Sequence, residues 1–551
     1  MTPLPRARRA RPRSPRTPRG RRTLASALLA LTCLATVTVP PLAADAAPTT
    51  SARERARVDT VPTPTLAWEP CELGECATVR LPLDYDEPGG ASVDIAVTRI
   101  PARDQSRRLG SLFLNPGGPG ASGAAFPLRA TEWLGEEVLD RFDLIGMDPR
   151  GTNGSTNTQC FPTVARLDRV TGTLVGMSFP VTEAEEKSFV HAARRLAKSC
   201  AGFGREVASA ISTAQVARDM DVLRRAVGDE QLTYLGFSYG TYLGQVYANL
   251  FPDRVRAIAL DGVVDPTAWV GTDATAQTPM SVRMDSAAAT SKALTEVLRR
   301  CAAASEACGV PDPQATFDRV AGRLLAGPVT VADPEGAYDV TYQMFITTVI
   351  FSLYSDVGAE SVPALAAMLD ELQSSDLTRD ARVDLSRRYS RTAAASLRRA
   401  AGYENTLEQV PAIMCTDSRN PRSPAAWDAL ANTEDTRAPH VGRYWLWNSV
   451  YCAGQLWGAH DEDAYAGPFN TVTAHPLLVV GNLYDPATSY EAARSTARLL
   501  PRSRLLTSTN WGHTAYGTSP CATAHMDAYL LDGVLPAPGT TCDDAHQPFG
   551  R

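Results

Sequence analysis

The sequence predicts an α/β fold, with a mostly parallel, doubly wound sheet that is interrupted once by a helical insertion. Short apolar runs at 111–114, 142–147 and 477–481 are typical of strands buried on both faces of a parallel sheet. Patterns of amphipathic helices alternate with these runs. Residues 265–474 instead have helical patterns along most of their length, and they are too numerous for a simple loop.

The first 46 residues have the composition of an export signal. Residues 1–22 carry nine arginines and no acid, residues 24–41 are apolar, and the sequence Ala-Asp-Ala at 44–46 fits a cleavage site. We therefore expect a secreted protein, with cell-wall association and the choice of the Sec or Tat route left open. An uncleaved anchor is the alternative, but the apolar run is slightly short for a span and ends in two prolines.

Without this signal the chain is acidic, because the loss of nine arginines and one aspartate changes the formal net charge from −6 to −14. Nucleic acid and anionic membrane surfaces are therefore unsuitable partners. Residues 47–66 are rich in Thr, Ala, Arg and Pro, which predicts a disordered leader or short propeptide.

Ten cysteines remain after cleavage, and an even number in an exported chain indicates disulfides. Sequence alone does not determine their connectivity. Pairing of neighbours along the chain is one hypothesis, and it would join Cys71–Cys76, Cys160–Cys200, Cys301–Cys308, Cys415–Cys452 and Cys521–Cys542. Because no C-x-x-C or His-x-x-x-His pair occurs, we expect no structural zinc site. We also expect no cofactor.

The predicted core is divided into residues 67–264 and 475–551. Its first part has strands at 78–83, 93–100, 111–114, 142–147 and 255–260, helices at 181–200 and 213–227, and a strand, turn and helix at 231–250. The second part has strands at 477–481 and 503–507 and helices at 491–500 and around 526–531. Within the insertion, helices are predicted at 287–302, 315–325, 342–353, 362–372 and 385–401.

The turn at 236–240 reads Gly-Phe-Ser-Tyr-Gly, a G-x-S-x-G motif. In this motif the serine occupies a strained turn between strand and helix, with its hydroxyl exposed. Three fixed positions match by chance roughly 0.2 times in a chain of this length, so a turn without chemical meaning is the alternative. Ser238 is a candidate nucleophile only if the chain also supplies a base and an orienting acid.

His513 is the candidate base, since only this one of seven histidines follows a short predicted strand near the C-terminus and lies beside a glycine. Asp485 is the candidate acid, because it directly follows a buried strand, where a carboxylate can be kept dry. Asp461 and Asp463 are competitors, but their polar run is typical of a solvated surface. The order serine, aspartate, histidine is the one this fold class uses.

The sequence NPGGPG at 115–120 predicts an oxyanion-binding loop after the third strand. Main-chain N–H groups can approach a developing negative charge only where no side chain obstructs them. The expected donors are the N–H groups of Gly118 and of Tyr239, which follows the serine.

Together these segments resemble the α/β-hydrolase exopeptidases of the prolyl aminopeptidase class, in particular the secreted actinobacterial tripeptidyl aminopeptidases. Many relatives have histidine where Asn115 stands, but the loop donors are amides, so asparagine is compatible with the same role. The likeness covers nearly the whole mature chain. It rests on NPGGPG, DPRG at 148–151, GFSYGTYLG at 236–244, the strand before Asp485, WGH at 511–513, and the segments at 68–85, at 412–417 and around the last two cysteines.

The resemblance implies an α/β-hydrolase fold with a helical lid at 265–474, and a catalytic triad of Ser238, His513 and Asp485. It further implies release of short peptides, tripeptides in particular, from a free N-terminus. An esterase or lipase-like hydrolase with the same triad is the alternative. A non-catalytic binding module on a hydrolase scaffold is the second alternative.

An aminopeptidase also needs a carboxylate for the ammonium group of its substrate and a wall that limits how many residues enter. Glu404 and Asp417 are candidates, because they flank the apolar stretch 410–414 inside the insertion. Ordinary structural acids are an equally good interpretation of both. The oligomeric state is left open.

Overall fold

The computed structural model describes residues 47–333, 336–374, 376–400, 408–544 and 546–550. The predicted export signal and Glu404 lie outside the described residues. None of the helices in the described ranges is both long and apolar enough to cross a membrane.

The strands form one large sheet and one hairpin. In chain order they are β1 (Glu69–Cys71), β2 (Gly74–Pro82), β3 (Ser92–Ile100), β4 (Gly110–Asn115), β5 (Phe142–Met147), β6 (Leu232–Phe237), β7 (Val255–Asp261), β8 (Val329–Asp333), β9 (Gly336–Val340), β10 (Leu478–Tyr484), β11 (Arg504–Trp511) and β12 (Thr541–Cys542). Within the described chain, the sheet has ten strands in the order β1-β2-β3-β5-β4-β6-β7-β10-β11-β12. In this spatial order, the neighbours β1-β2-β3-β5 pair antiparallel, and the neighbours β5-β4-β6-β7-β10-β11-β12 pair parallel.

The central strands are buried along their whole length, as predicted for parallel strands covered on both faces. Alternate residues enter two apolar clusters, since Leu112 and Leu114 of β4 lie in one and Phe113 lies in the other. The helices before the insertion are α1 (Ala52–Val58), α2 (Phe126–Ala130), α3 (Glu136–Arg141), α4 (Val164–Met177), α5 (Glu183–Cys200), α6 (Arg205–Ala208), α7 (Thr213–Ala226) and α8 (Tyr239–Leu250).

The insertion lies between β7 and β10 and is mainly helical. It also holds the antiparallel hairpin β8–β9, which the sequence reading missed although Val329 and Val331 alternate with polar residues. Its helices are α9 (Pro266–Val270), α10 (Met280–Arg283), α11 (Ser286–Ala304), α12 (Pro313–Ala326), α13 (Tyr342–Ser352), α14 (Asp356–Leu372), α15 (Arg379–Ala400), α16 (Gln409–Asp417), α17 (Ala425–Asp428), α18 (Ala431–Arg437) and α19 (Gly442–Trp447). Helices α20 (Tyr490–Leu499) and α21 (Pro520–Asp532) follow β10 and β11.

The segment 47–66 is not the disordered leader that its composition predicted. Ser51 caps α1 by accepting a hydrogen bond from the Glu54 N–H at 3.1 Å. Glu54 and Arg57 of this helix are buried. Composition was misleading here because the charged residues that usually favour disorder are paired inside the fold.

The acids Asp461 and Asp463, predicted to be solvated, are also buried, with exposed fractions of 7% and 6%. Asp463 forms ion pairs with Arg57 and with Arg218, the latter at 3.4 Å. Arg218 in turn contacts Glu54 at 2.8 Å. The polar run is therefore part of a buried ion cluster that joins α1, α7 and the end of the insertion.

All five neighbouring cysteine pairs are bonded in the structure. Cys415–Cys452 lies within the insertion and joins α16 to the segment after α19. The hypothesis of neighbour pairing agrees with the structure.

Candidate active site

The candidate residues meet at one edge of the sheet, which the carboxyl ends of the parallel strands form. Asn115 ends β4, Ser238 follows β6, Asp261 ends β7, Asp485 follows β10 and His513 comes shortly after β11. This edge is where α/β sheets usually carry their functional residues.

Ser238 has φ 56° and ψ −125°, a conformation that residues other than glycine rarely adopt. Its N–H donates to the main-chain oxygen of Asp261 at 3.0 Å. A Cβ at Gly236 would lie 2.5 Å from the main-chain oxygen of Gly240, and a Cβ at Gly240 would lie 2.7 Å from that of Asn115. The turn is therefore held in a strained conformation by close backbone packing, as expected for a nucleophile elbow.

The NPGGPG loop lies directly against this turn. A Cβ at Gly117 would lie 2.9 Å from the main-chain nitrogen of Tyr239, so only glycine fits. The Gly117 N–H donates to the side-chain oxygen of Asn115 at 2.9 Å, which means that Asn115 shapes the loop with its side chain as well as its backbone. Gly118 and Tyr239, the predicted oxyanion donors, line the same cavity as Ser238.

Asp485 and His513 are in direct hydrogen-bond contact, with Nδ1 of the imidazole 2.9 and 3.0 Å from the two carboxylate oxygens. The carboxylate also accepts the N–H groups of Ala487 and Thr488 at 2.8 and 2.9 Å. Asp485 is only 2% exposed. The carboxylate is therefore dry, fully engaged and directed at the imidazole.

The pKa of His513 is raised above its usual value. Burial by itself opposes the charged imidazolium, but the negative charge and hydrogen bond of Asp485, with a further contribution from Asp261, outweigh it. Burial raises the pKa of Asp261 to about 6, although main-chain N–H groups donate to its carboxylate. The imidazole is thus kept basic by two buried carboxylates.

Three elements hold the loop 512–516, which carries His513. Asn482 of β10 donates to two main-chain oxygens of the loop, at 3.0 and 2.7 Å. Asp261 of β7 accepts from two of its N–H groups, at 2.8 to 3.0 Å. From the insertion, the main-chain oxygen of Tyr354 accepts the His513 N–H at 2.9 Å. The orientation of the imidazole therefore depends on both the sheet and the insertion.

Sequence reasoning did not single out Asn482, Asp261 or Tyr354. Asp261 carries the same signal as Asp485, an aspartate at the end of a buried strand, and this signal could have identified it. Tyr354 has no such local signal, because its relation to His513 arises only when the insertion packs on the sheet edge.

A cavity of about 380 Å³ opens beside Ser238. Its walls are mainly aromatic and apolar, and no acidic or basic side chain is among its lining residues in the described part of the chain. Core residues contribute Gly118, Pro119, Ser238, Tyr239, Val264, Ala487 and Thr488. The insertion contributes Trp269, Met280, Ser281, Met284, Ser286, Phe351, Tyr354, Val410, Pro411, Met414, Tyr444, Trp445, Asn448 and Tyr451.

Asp417, a predicted binder of the substrate ammonium group, does not line this cavity. Its carboxylate accepts from the N–H and hydroxyl of Thr213 at 2.8 and 2.6 Å and from the indole N–H of Trp269 at 3.2 Å. Thr213 also shares a 2.5 Å hydrogen bond with the hydroxyl of Tyr239. Asp417 thus braces two residues of the cavity wall from behind, and its burial raises its pKa to about 7.

In the described ranges, one group of side chains has the spacing of metal ligands, namely Cys521, His525 and Cys542. The sulfur atoms of Cys521 and Cys542 are bonded to each other in a disulfide. They are therefore not available as thiolate ligands.

Two family models match the chain. The model described as "alpha/beta hydrolase fold" matches residues 110–282, and the model described as "TAP-like protein" matches residues 438–542. The first match includes Ser238, and the second includes Asp485 and His513.

Three curated proteins illustrate the similarity. A tripeptidyl aminopeptidase of Streptomyces lividans is 31% identical over 518 residues, which cover 86% of each chain. The serine protease Hip1 of Mycobacterium tuberculosis is 28% identical over 519 residues, covering 86% of this chain and 90% of that protein. A protein named carboxylesterase B, also from Mycobacterium tuberculosis, is 32% identical over 508 residues, covering 87% and 90%.

Proposed function

Because the chain belongs to the tripeptidyl aminopeptidase-like α/β hydrolases, a family of serine peptidases and related hydrolases, we propose that it is a secreted serine exopeptidase. We propose further that it releases short peptides, tripeptides first of all, from free N-termini. The observation that carries this proposal is the Asp485–His513 hydrogen bond at the same sheet edge as the strained turn of Ser238.

In the first half-reaction, the Ser238 hydroxyl attacks the scissile carbonyl carbon and its proton passes to Nε2 of His513. Asp485 holds Nδ1 and stabilises the imidazolium. The main-chain N–H groups of Gly118 and Tyr239 bind the oxyanion of the tetrahedral intermediate. The C–N bond then breaks, and the imidazolium donates its proton to the leaving amine.

In the second half-reaction, water attacks the acyl-enzyme ester while the same imidazole accepts a proton from it. The second tetrahedral intermediate collapses, the ester C–O bond breaks, and the proton returns to the serine oxygen. The short peptide leaves as a carboxylic acid, which loses its proton to the solvent, and the enzyme is restored.

The size of the cavity favours a substrate whose acyl portion is short. Its volume is near the lower end of the range of about 300–1,000 Å³ for ligand pockets, and the insertion supplies most of its wall. A folded protein substrate would not fit there, whereas a few residues at a chain end would. We propose Glu404 rather than Asp417 as the carboxylate for the substrate ammonium group, because both oxygens of Asp417 already accept hydrogen bonds from Thr213.

The direct test combines labelling with a length series. A fluorophosphonate should label the protein stoichiometrically, and the Ser238→Ala variant should remain unlabelled. Peptide p-nitroanilides of one to four residues, each with a free or an acetylated N-terminus, should show the highest kcat/KM for the free tripeptide. An absence of labelling of the folded wild-type protein would contradict the proposal.

An esterase is the second candidate, because the relative named carboxylesterase B is as similar to this chain as the tripeptidyl aminopeptidase. The apolar cavity also suits an ester with an aliphatic acyl chain. Comparison of kcat/KM for p-nitrophenyl butyrate with that for the best peptide anilide distinguishes the two. Glu404→Gln should raise KM for free-amine peptides but not for the ester, if the enzyme is an aminopeptidase.

A further inference from the structure

Tyr354 contacts His513 in two ways. Its main-chain oxygen accepts the His513 N–H at 2.9 Å, and its ring packs edge-to-face on the imidazole, with 5.2 Å between the ring centroids and an interplanar angle of 67°. Tyr354 is also one of the residues that line the cavity. Tyr354 is therefore the place where the insertion, the imidazole and the substrate space meet.

The neighbouring residues make this contact close. A Cβ at Gly512 would lie 2.6 Å from the main-chain oxygen of Tyr354, so only glycine allows the two segments to approach. The indole N–H of Trp511 donates to the main-chain oxygen of Leu353 at 3.2 Å. The turn between α13 and α14 thus contacts residues 511–513, the end of β11 and the start of the loop that carries the imidazole.

We propose that Tyr354 is a positioning residue for His513, so that the insertion forms part of the catalytic apparatus as well as covering it. The sheet holds the loop from one side through Asp261 and Asn482. The tyrosine ring restrains rotation of the imidazole from the other side. This inference rests on the proposed role of His513 as the general base.

The test uses a substrate that is too small to report on the cavity wall. The acetyl group of p-nitrophenyl acetate reaches Ser238 without filling the cavity, so a loss of turnover on this ester reports on the base. Tyr354→Leu should lower kcat for the ester by about tenfold or more with little change in KM, because small displacements of a catalytic group are costly. Tyr354→Phe, which keeps the ring, should stay within about twofold of the wild type.

Tyr389→Leu is the matched control, since it removes a buried tyrosine of the same insertion on α15. It should destabilise the insertion and leave ester turnover unchanged. Tyr354→Met provides a second variant without a ring if the leucine variant does not fold. The low-field ¹H NMR signal of the His513–Asp485 hydrogen bond should shift or broaden in the variants that lack the ring, and stay in place in Tyr354→Phe.

The inference is overturned if the ring-less variants lose activity only on peptide anilides, through KM, and keep full ester turnover. It is also overturned if Tyr354→Phe falls as far as Tyr354→Leu. These results differ from a failure of the proposed function, in which the wild-type protein itself would show no labelling by a fluorophosphonate and no turnover of either substrate.

Discussion

The main-chain oxygen of Asp261 accepts the N–H of Ser238, while the carboxylate of the same residue holds the loop that carries His513. One residue at the end of β7 therefore sets the relative position of the proposed nucleophile and the proposed base. The carboxylate is completely buried, and its negative charge helps to raise the pKa of His513.

Asp261→Asn should lower kcat by up to about 100-fold, because the amide NH2 that replaces one carboxylate oxygen cannot accept the Ala515 N–H that faces it and would displace the loop. It should also move the acid limb of the pH profile of kcat/KM to lower pH, since removal of a negative charge lowers the pKa of His513. Asp265→Asn, at the N-cap of α9, is a suitable control because asparagine also caps helices. An unchanged acid limb would show that Asp261 acts only by holding the backbone of the loop, and not through its negative charge.

Asp485→Asn should lower kcat by about 10⁴-fold, because asparagine favours the wrong tautomer of the imidazole. Its competitor from the sequence, Asp461, is engaged by the N–H groups of Ser212 and Asp463 and is not in contact with His513. Asp461→Asn should therefore leave kcat within a fewfold of the wild type. Steady-state kinetics on a peptide anilide decide between the two acids, and equal losses in both variants would refute the assignment.

Gly117→Ala should lower kcat by about 100-fold or more, with stability changed much less than activity. The added Cβ would meet the backbone of the elbow and force the NPGGPG loop, with the proposed donor Gly118, away from Ser238. Gly172→Ala is the control, because its Cβ would meet nothing within 4 Å on α4 and alanine favours the helix. Retention of full activity by Gly117→Ala would argue against the loop as part of the oxyanion site.

Asp417→Asn should become more stable relative to the wild type as the pH rises from about 4 to about 7. The folded-state pKa of Asp417 is raised to about 7, so over this interval the unfolded chain ionises while the folded chain holds its proton. The wild type loses stability there, and asparagine does not titrate. Urea denaturation at several pH values measures the difference, and a constant difference across the interval would contradict the prediction.

Arg57→Met should lower the free energy of unfolding by about 3 kcal/mol, because it leaves the buried carboxylates of Glu54 and Asp463 with one arginine fewer. Arg53 on the same helix also faces Asp463, at 3.6 Å, but its side chain is 70% exposed. Arg53→Met should therefore cost less than about 1 kcal/mol. Denaturant unfolding of both variants compares the contribution of a buried ion pair with that of an exposed one. Equal losses in the free energy of unfolding would show that the buried ion pairs of Arg57 do not anchor α1.

Much of the proposed site could be predicted from local patterns. Ser238 and Asp485 each follow an apolar strand, and His513 follows a short strand of mixed composition. A strand followed by a turn can be recognised within about ten residues of sequence. The helices of the insertion have a regular apolar period, which made most of them visible as well. The hairpin β8–β9 was missed because its strands are short and half exposed.

The buried charges could not be predicted in this way. Arg57 and Asp463 are 406 residues apart, and composition assigned one to a disordered leader and the other to a solvated surface. Asp417 was assigned to the substrate because it flanks the apolar stretch 410–414. Its hydrogen bonds with Thr213 and Trp269 join residues 204 and 148 positions apart, and no local pattern shows them. In each case the environment of the charge comes from residues that are far away in sequence.

The sequence by itself determined the order of the core strands from β2 to β11, the strained turn and the chemical type of each candidate residue, because these depend on backbone preferences and on the period of apolar side chains. Only the tertiary structure decided what surrounds those residues. It brought Asp261 and Tyr354 to the loop of His513, turned Asp417 away from the cavity and buried α1. The physical reason is that desolvation and hydrogen bonding act over a few ångströms in space, whatever the separation along the chain.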